Sequence, residues 1–336
     1  MTDKYKGRYK MSKETARRLL AELQTSEELQ AKIRGITDPV ELAKKAVEAG
    51  YDVTLNELIE AEQELRAGKN AARNELPRIK PIISGGRINY QDFNAKTIDS
   101  WIEDGWEWGQ PISHEVYEKA LHGEWNVSLT PLKPVPHEWF GELKGKKLLG
   151  LASGGGQQMP VFAALGAECT ILDYSEKQLE SEKMVSDREG YPIRIIRADM
   201  TKPLPFEDEE FDIIFHPVSN CYAEDIRPIW RECFRVLKRG GYLLSGAATF
   251  MDYIVDSNEK TIVNSLPFNP LKNPEHMKQL QEDDAGIQFS HSLEEQIGGQ
   301  LEAGFRLLSL YEDTNNSGRM YEMGIPSYIA TRSKKE

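Results

Sequence analysis

Glycines 154, 155 and 156, preceded by Ser153, stand where an apolar run, residues 147–152, passes into a helix-like run, residues 160–165. A second apolar run, residues 167–172, comes next and ends at Asp173. Glycines let a backbone approach a ligand closely, and an acid about 20 residues past the first glycine is placed to meet a nucleotide ribose. Read as Gly-x-Gly-x-x-Gly the run fails at Met159, so the dinucleotide fingerprint is incomplete and does not by itself fix the nature of the nucleotide.

A third strand, residues 193–197, leads to Ala198-Asp199-Met200, and a fourth, residues 211–215, leads to His216-Pro217-Val218-Ser219-Asn220-Cys221-Tyr222. Both endings lie at the carboxyl edge of the expected sheet, where open α/β folds bind ligands. A histidine there can accept a proton, so His216 is the first candidate base, with Asn220 and Tyr222 placed to orient a ligand. His291, at a helix start in Phe289-Ser290-His291-Ser292, is the second. His114 and His137 are secondary candidates. Nothing in the sequence near Cys221 signals an activated thiolate. With Cys169 and Cys233 it makes three cysteines without Cys-x-x-Cys spacing, so neither a disulfide framework, a zinc site nor any other metal site is expected.

Beyond the fourth strand come a helix around residues 229–237, the turn Lys238-Arg239-Gly240-Gly241 and a fifth strand. In this order the motifs resemble the class I S-adenosylmethionine-dependent methyltransferases over roughly residues 94–332. Two positions depart from the family pattern: Gly150 stands where an acid is usual, and Ala152 replaces the first glycine of the loop. The resemblance implies S-adenosylmethionine as cofactor, with Ser153, Gly154, Gly156 and Gln157 on its loop. It further implies Asp173, beside Tyr174, on the ribose hydroxyls, Asp199 and Met200 on the adenine edge, and Asn220 near the methionine end. His216 and His291 would then serve an in-line methyl transfer that needs an aligned nucleophile and, for a protonated acceptor, a base.

To position these residues the resemblance implies a doubly wound α/β sheet of seven strands, and residues 305–311 and 327–331 fit the antiparallel hairpin that closes a sheet of this type. Trp101, Trp106, Trp108, Trp125 and Trp139 crowd residues 94–140, expected as a cap packed on the sheet, some of its rings roofing a pocket. Residues 251–292 are expected as an insertion over the site.

Ahead of this domain, residues 1–68 read as a small all-helical module. Thr25 and Glu28 have capping-box spacing, Asp38-Pro39 opens a helix, Gly50 stops one, and Thr54 with Glu57 opens another. At Thr25-Ser26-Glu27-Glu28-Leu29 and Glu48-Ala49-Gly50-Tyr51-Asp52-Val53-Thr54-Leu55 the module resembles Nif-eleven-type leader peptides of modified-peptide natural products. Residues 69–92, with Pro77 and Pro81, read as linker; Gly85-Gly86 is part of it, although leaders of that family often end in a Gly-Gly cleavage site.

The chain has 336 residues and a net charge of -12, with 42 Lys plus Arg against 54 Asp plus Glu, which opposes nucleic-acid binding. No apolar run is long enough to span a membrane, and the first residues are polar, so a cytoplasmic protein without membrane partners is expected. The combined reading is an S-adenosylmethionine-dependent methyltransferase of a small molecule or peptide, with a place in modified-peptide biosynthesis. The alternatives are a nicotinamide-dependent oxidoreductase and a non-catalytic leader-type binding protein.

Overall fold

The computed structural model describes residues 89–336 apart from Ser257 and Asp284, together with the pairs 83–84 and 87–88 and the single residues Lys45 and Tyr51. The expected helices of residues 1–68 and the Gly85-Gly86 pair lie outside the described residues. The chain divides into two units, Met1–Ile79 and Lys80–Glu336, and the second contains all the elements named here.

Two short strands, β1 (Ile83–Ser84) and β2 (Arg87–Ile88), pair antiparallel. Helix α1 (Tyr90–Glu103) opens inside the stretch expected as linker, because Asn89 caps it through its side-chain oxygen on the Asp92 amide. Helix α2 (His114–Leu121) comes after it. The central elements are β3 (Lys147–Leu151), α3 (Gln158–Ala164), β4 (Glu168–Asp173), α4 (Glu176–Glu189), β5 (Arg194–Arg197), β6 (Phe211–His216), α5 (Arg227–Val236) and β7 (Leu237–Ala248). After β7 come α6 (Met251–Ile254), α7 (Pro274–Asp283), a π-helical turn Glu294–Gly298, α8 (Gly299–Ala303), β8 (Phe305–Asp313), α9 (Arg319–Glu322) and β9 (Tyr328–Lys335).

The seven-stranded sheet runs β5-β4-β3-β6-β7-β9-β8; the first five are parallel and β9 is antiparallel to both its neighbours. Helices cover both faces, so its central strands read as unbroken apolar runs. In β3, Leu148 faces the cluster of Met159, Phe162 and Phe215, while Leu149 and Leu151 face that of Ile214, Trp230 and Leu243. The expected turn at residues 238–241 is present as a register shift: Phe211 pairs with Leu237, but Ile213 pairs with Tyr242. Helix α4 begins where Ser175 accepts the Gln178 amide and ends at Gly190, whose positive φ of 74° suits glycine.

Candidate cofactor and active site

At the carboxyl end of β3 the chain turns through Ala152, a non-glycine residue with φ of 48°, into Ser153 and Gly154. Such a conformation costs an ordinary residue about 1–2 kcal/mol, and it occurs where the backbone meets the end of β4. The Gly154 amide donates to Asp173 Oδ2 at 3.0 Å, and Asp173 Oδ1 accepts the amides of Tyr174 (2.7 Å) and Ser175 (3.1 Å). Only glycine fits at 154, since a β-carbon would stand 2.6 Å from Gln178 Cβ and 3.0 Å from Asp173 Oδ2. Burial raises the Asp173 pKa, with the three amides acting against it.

Helix α1 braces this turn. Asp99 accepts the Ser175 hydroxyl at 2.5 Å and the Lys177 amide at 3.1 Å, and Asp92 accepts the Tyr174 hydroxyl at 2.5 Å, which lifts that phenol to about 12. Neither acid stands out in the sequence. The available signal is two acids seven residues apart, about two turns of one helix face.

Ser153, Gly154, Gln157, Asp173, Tyr174, Asp199 and Met200 all line one cavity of about 460 Å³. The Asp199 carboxylate accepts both the amide and the hydroxyl of Thr201, at 2.8 and 2.7 Å. The cavity continues past Trp106 and Trp108 to Cys221, Tyr222, Asp252, Tyr253 and Tyr328. The other tryptophans of the cap segment pack: Trp101 against Trp106, Trp125 flat on His137 at 3.9 Å, and Trp139 against Tyr311.

Four expected site residues stand elsewhere. Gly156, with φ of 68°, gives its amide to Glu182 at 2.8 Å, and its α-carbon faces Val185 and the Ser181 carbonyl behind the loop rather than the cavity. His216 is fully buried beneath the floor of the site. Its Nδ1 lies 2.8 Å from the Leu151 carbonyl oxygen, and its Nε2 lies 2.8 Å from Asn220 Oδ1. Asn220 is held in turn by Gln296 at 3.0 Å. Burial lowers the His216 pKa, with the Leu151 and Asn220 contacts acting against it. His291 donates through Nε2 to the carbonyls of Ala223 (2.9 Å) and Asn220 (3.1 Å), and burial lowers its pKa too. Against the expectation of two bases, neither ring borders the cavity: His216 holds the turn after β6 through Leu151 and Asn220, and His291 through its Nε2 on Asn220 and Ala223. His114 instead pairs with Glu189 at the surface, and burial pushes the Cys221 thiol up to about 12.

Five parallel strands closed by an antiparallel pair, with a glycine turn after β3 and a carboxylate after β4, define a nucleotide-binding sheet of the methyltransferase kind. Residues 149–245 match the methyltransferase domain family, and residues 11–58 match the Nif11 domain. The chain belongs to the class I S-adenosylmethionine-dependent methyltransferases and uses S-adenosylmethionine, which sets aside the nicotinamide alternative. It is 42% identical to the uncharacterized methyltransferase YbaJ of Bacillus subtilis over 72% of this chain and 97% of that protein. It is 26% identical to squalene methyltransferase 1 of Botryococcus braunii, over 61% of this chain and 57% of that one. Among solved structures, an S-adenosylmethionine dependent methyltransferase from Mesorhizobium loti aligns with a TM-score of 0.45 and 17% identity, over 59% of this chain and 94% of that one. Among the described residues no helix is long and apolar enough to cross a membrane.

Proposed function

We propose that the chain methylates a small organic molecule held in the cavity that begins at Asp173. The observation that carries this reading is continuity: one cavity of about 460 Å³ is lined both by the glycine turn and Asp173 and by Cys221, Tyr222, Tyr253 and Tyr328. That volume lies within the roughly 300–1,000 Å³ of small-molecule sites. The residues at the near end suit the cofactor. Asp173 borders the cavity with Oδ2, which holds one amide against two on Oδ1, left to accept from a ribose hydroxyl, while Asp199 and the Met200 backbone take the adenine edge and Tyr174 flanks the ribose. Gly154 leaves the space a side chain would fill, and the buried Ser153 hydroxyl has no partner among the described residues. With Gln157 they shape the methionine end; Gly156, Asn220, His216 and His291 act one layer behind. The cofactor supplies a sulfonium methyl, and the protein aligns the acceptor with it.

A second reading, a peptide substrate in modified-peptide biosynthesis, rests on the Nif11 match at residues 11–58. Mass spectrometry after incubation with methyl-labelled S-adenosylmethionine and fractionated cell extract separates the two. Label in the low-mass fraction supports the small-molecule reading, and label confined to peptides, or to this chain itself, supports the second.

A further inference from the structure

The far end of the cavity holds a carboxylate that neither cofactor binding nor the histidines account for. Asp252, on α6, borders the cavity with the Ser327 and Tyr328 hydroxyls beside its carboxylate, and among the described residues its Oδ1 is shut off from solvent without a hydrogen-bond partner of normal geometry. Around it stand Glu259, the Tyr253 and Tyr328 hydroxyls and the Cys221 thiol, none of them positively charged. Ser327 is adjacent, and its buried hydroxyl also completes no hydrogen bond of normal geometry. A buried carboxylate without a counter-charge is costly, and it is relieved either by a proton or by a cation that enters beside it.

The charge of the whole wall chooses between possible ligands. Among the described residues lining the cavity the acidic side chains are Asp173, Asp199 and Asp252, with no lysine, arginine or histidine. Such a wall repels carboxylates and phosphates, and it attracts cations. Tyr222, Tyr253, Tyr328 and Phe268 supply aromatic surface at the same end, which favours an ammonium ion further.

We propose that Asp252 anchors the methyl acceptor and takes its proton, and that the acceptor is a primary or secondary amine entering as its ammonium ion. The inference rests on the small-molecule reading above and narrows it. The ammonium N–H bond breaks, its proton passing to the Asp252 carboxylate and its electron pair staying on nitrogen. That pair forms the new bond to the methyl carbon while the carbon–sulfur pair returns to sulfur, giving S-adenosylhomocysteine and a methylated ammonium ion. Asp252 then yields its proton to water. Burial first, and Glu259 next, push its pKa up to about 7 against the neighbouring hydroxyls, the range in which a carboxylate exchanges protons near neutral pH.

The test is calorimetry on the full-length chain with S-adenosylhomocysteine present. The probes are methylammonium, phenethylammonium and piperidinium, with phenethyl alcohol and 3-phenylpropanoate as neutral and anionic counterparts. At least one ammonium probe should bind, and more tightly than either counterpart. Its affinity should fall as pH drops below about 7, and Asp252→Asn should weaken it by at least about tenfold, a typical loss for a charge-assisted contact. S-adenosylhomocysteine affinity should stay within about twofold in that variant, and Asp252→Glu should keep part of the ammonium affinity. Binding of the alcohol or the carboxylate without any ammonium would overturn the amine proposal and leave the small-molecule reading standing; no binding of any probe would overturn both. Unchanged ammonium affinity in Asp252→Asn, or a pH-independent affinity in the wild-type chain, would also overturn the proposal.

Discussion

Met159 fills the space above Gly150: a β-carbon at position 150 would lie 2.8 Å from both Sδ and Cε of Met159, and 2.9 Å from Ile171 Cδ1. The two unusual residues of the nucleotide-binding turn, the methionine in place of a glycine and the glycine in place of an acid, thus share one packing site inside the apolar cluster beneath it. Gly150→Ala should destabilise the protein by about 1–3 kcal/mol through overpacking. In the double variant with Met159→Ala the loss should fall short of the sum of the single losses by at least about 1 kcal/mol, read by urea unfolding. Additive losses would mean that the two residues do not share the space.

His216→Ala should act on stability before it acts on chemistry. The substitution strips partners from the Leu151 carbonyl and the Asn220 carboxamide, each costing about 1–3 kcal/mol when left buried and unpaired. Its folded pKa lies below the ordinary 6.5, so the unfolded chain binds the extra proton. The stability this neutral ring contributes is therefore present above about pH 6.5 and is lost as pH falls toward the folded pKa. Thermal unfolding of wild type and His216→Ala between pH 5 and 8 should show the variant losing less on acidification. A variant that unfolds like wild type at every pH but has lost turnover would restore His216 as a base.

Glu182 behaves in the opposite sense. It is fully buried behind the glycine turn, it accepts the Gly156 amide at 2.8 Å through Oε1, and Oε2 has no partner among the described residues. Burial pushes its pKa from 4.5 up to about 8. Its stabilising protonated form is available to the folded chain at no cost below about pH 4.5, and that contribution is lost as pH rises toward 8. At about 1.4 kcal/mol per unit the separation sets an upper bound of roughly 5 kcal/mol. Glu182→Gln should be more stable than wild type at pH 8, and the gap should close by pH 5. An equal gap at both pH values would show that Glu182 does not titrate in this window.

Much of the sheet is legible in the sequence because a strand buried on both faces writes an unbroken apolar run, as at Leu148, Leu149 and Leu151. Gly154 and Asp173 are legible because a fixed turn sets their spacing. The histidines mislead because exposure is a property of the assembled fold. His216 ends a strand at the ligand edge, but Leu151 and Asn220 close on its ring, with Gln296 holding Asn220 from a third element. Gly156 has the spacing of a cofactor-loop glycine, but its amide is taken by Glu182 from α4. Asp252 leaves no mark at all, since it sits on a four-residue helix and its surroundings, Ser327 and Tyr328 where β9 begins and Glu259, are assembled only by the fold.

Binding of S-adenosylhomocysteine to wild-type protein and to Asp173→Ala, measured by calorimetry beside NADH, tests most directly whether the β3–β4 turn is the cofactor site. The wild-type chain should bind S-adenosylhomocysteine in preference to NADH. Asp173→Ala, with its fold verified by circular dichroism, should bind S-adenosylhomocysteine at least about tenfold more weakly, since one or two charge-assisted hydrogen bonds of about 1.5–3 kcal/mol each are removed. Unchanged affinity in the folded variant, or tighter binding of NADH by wild type, would contradict the assignment.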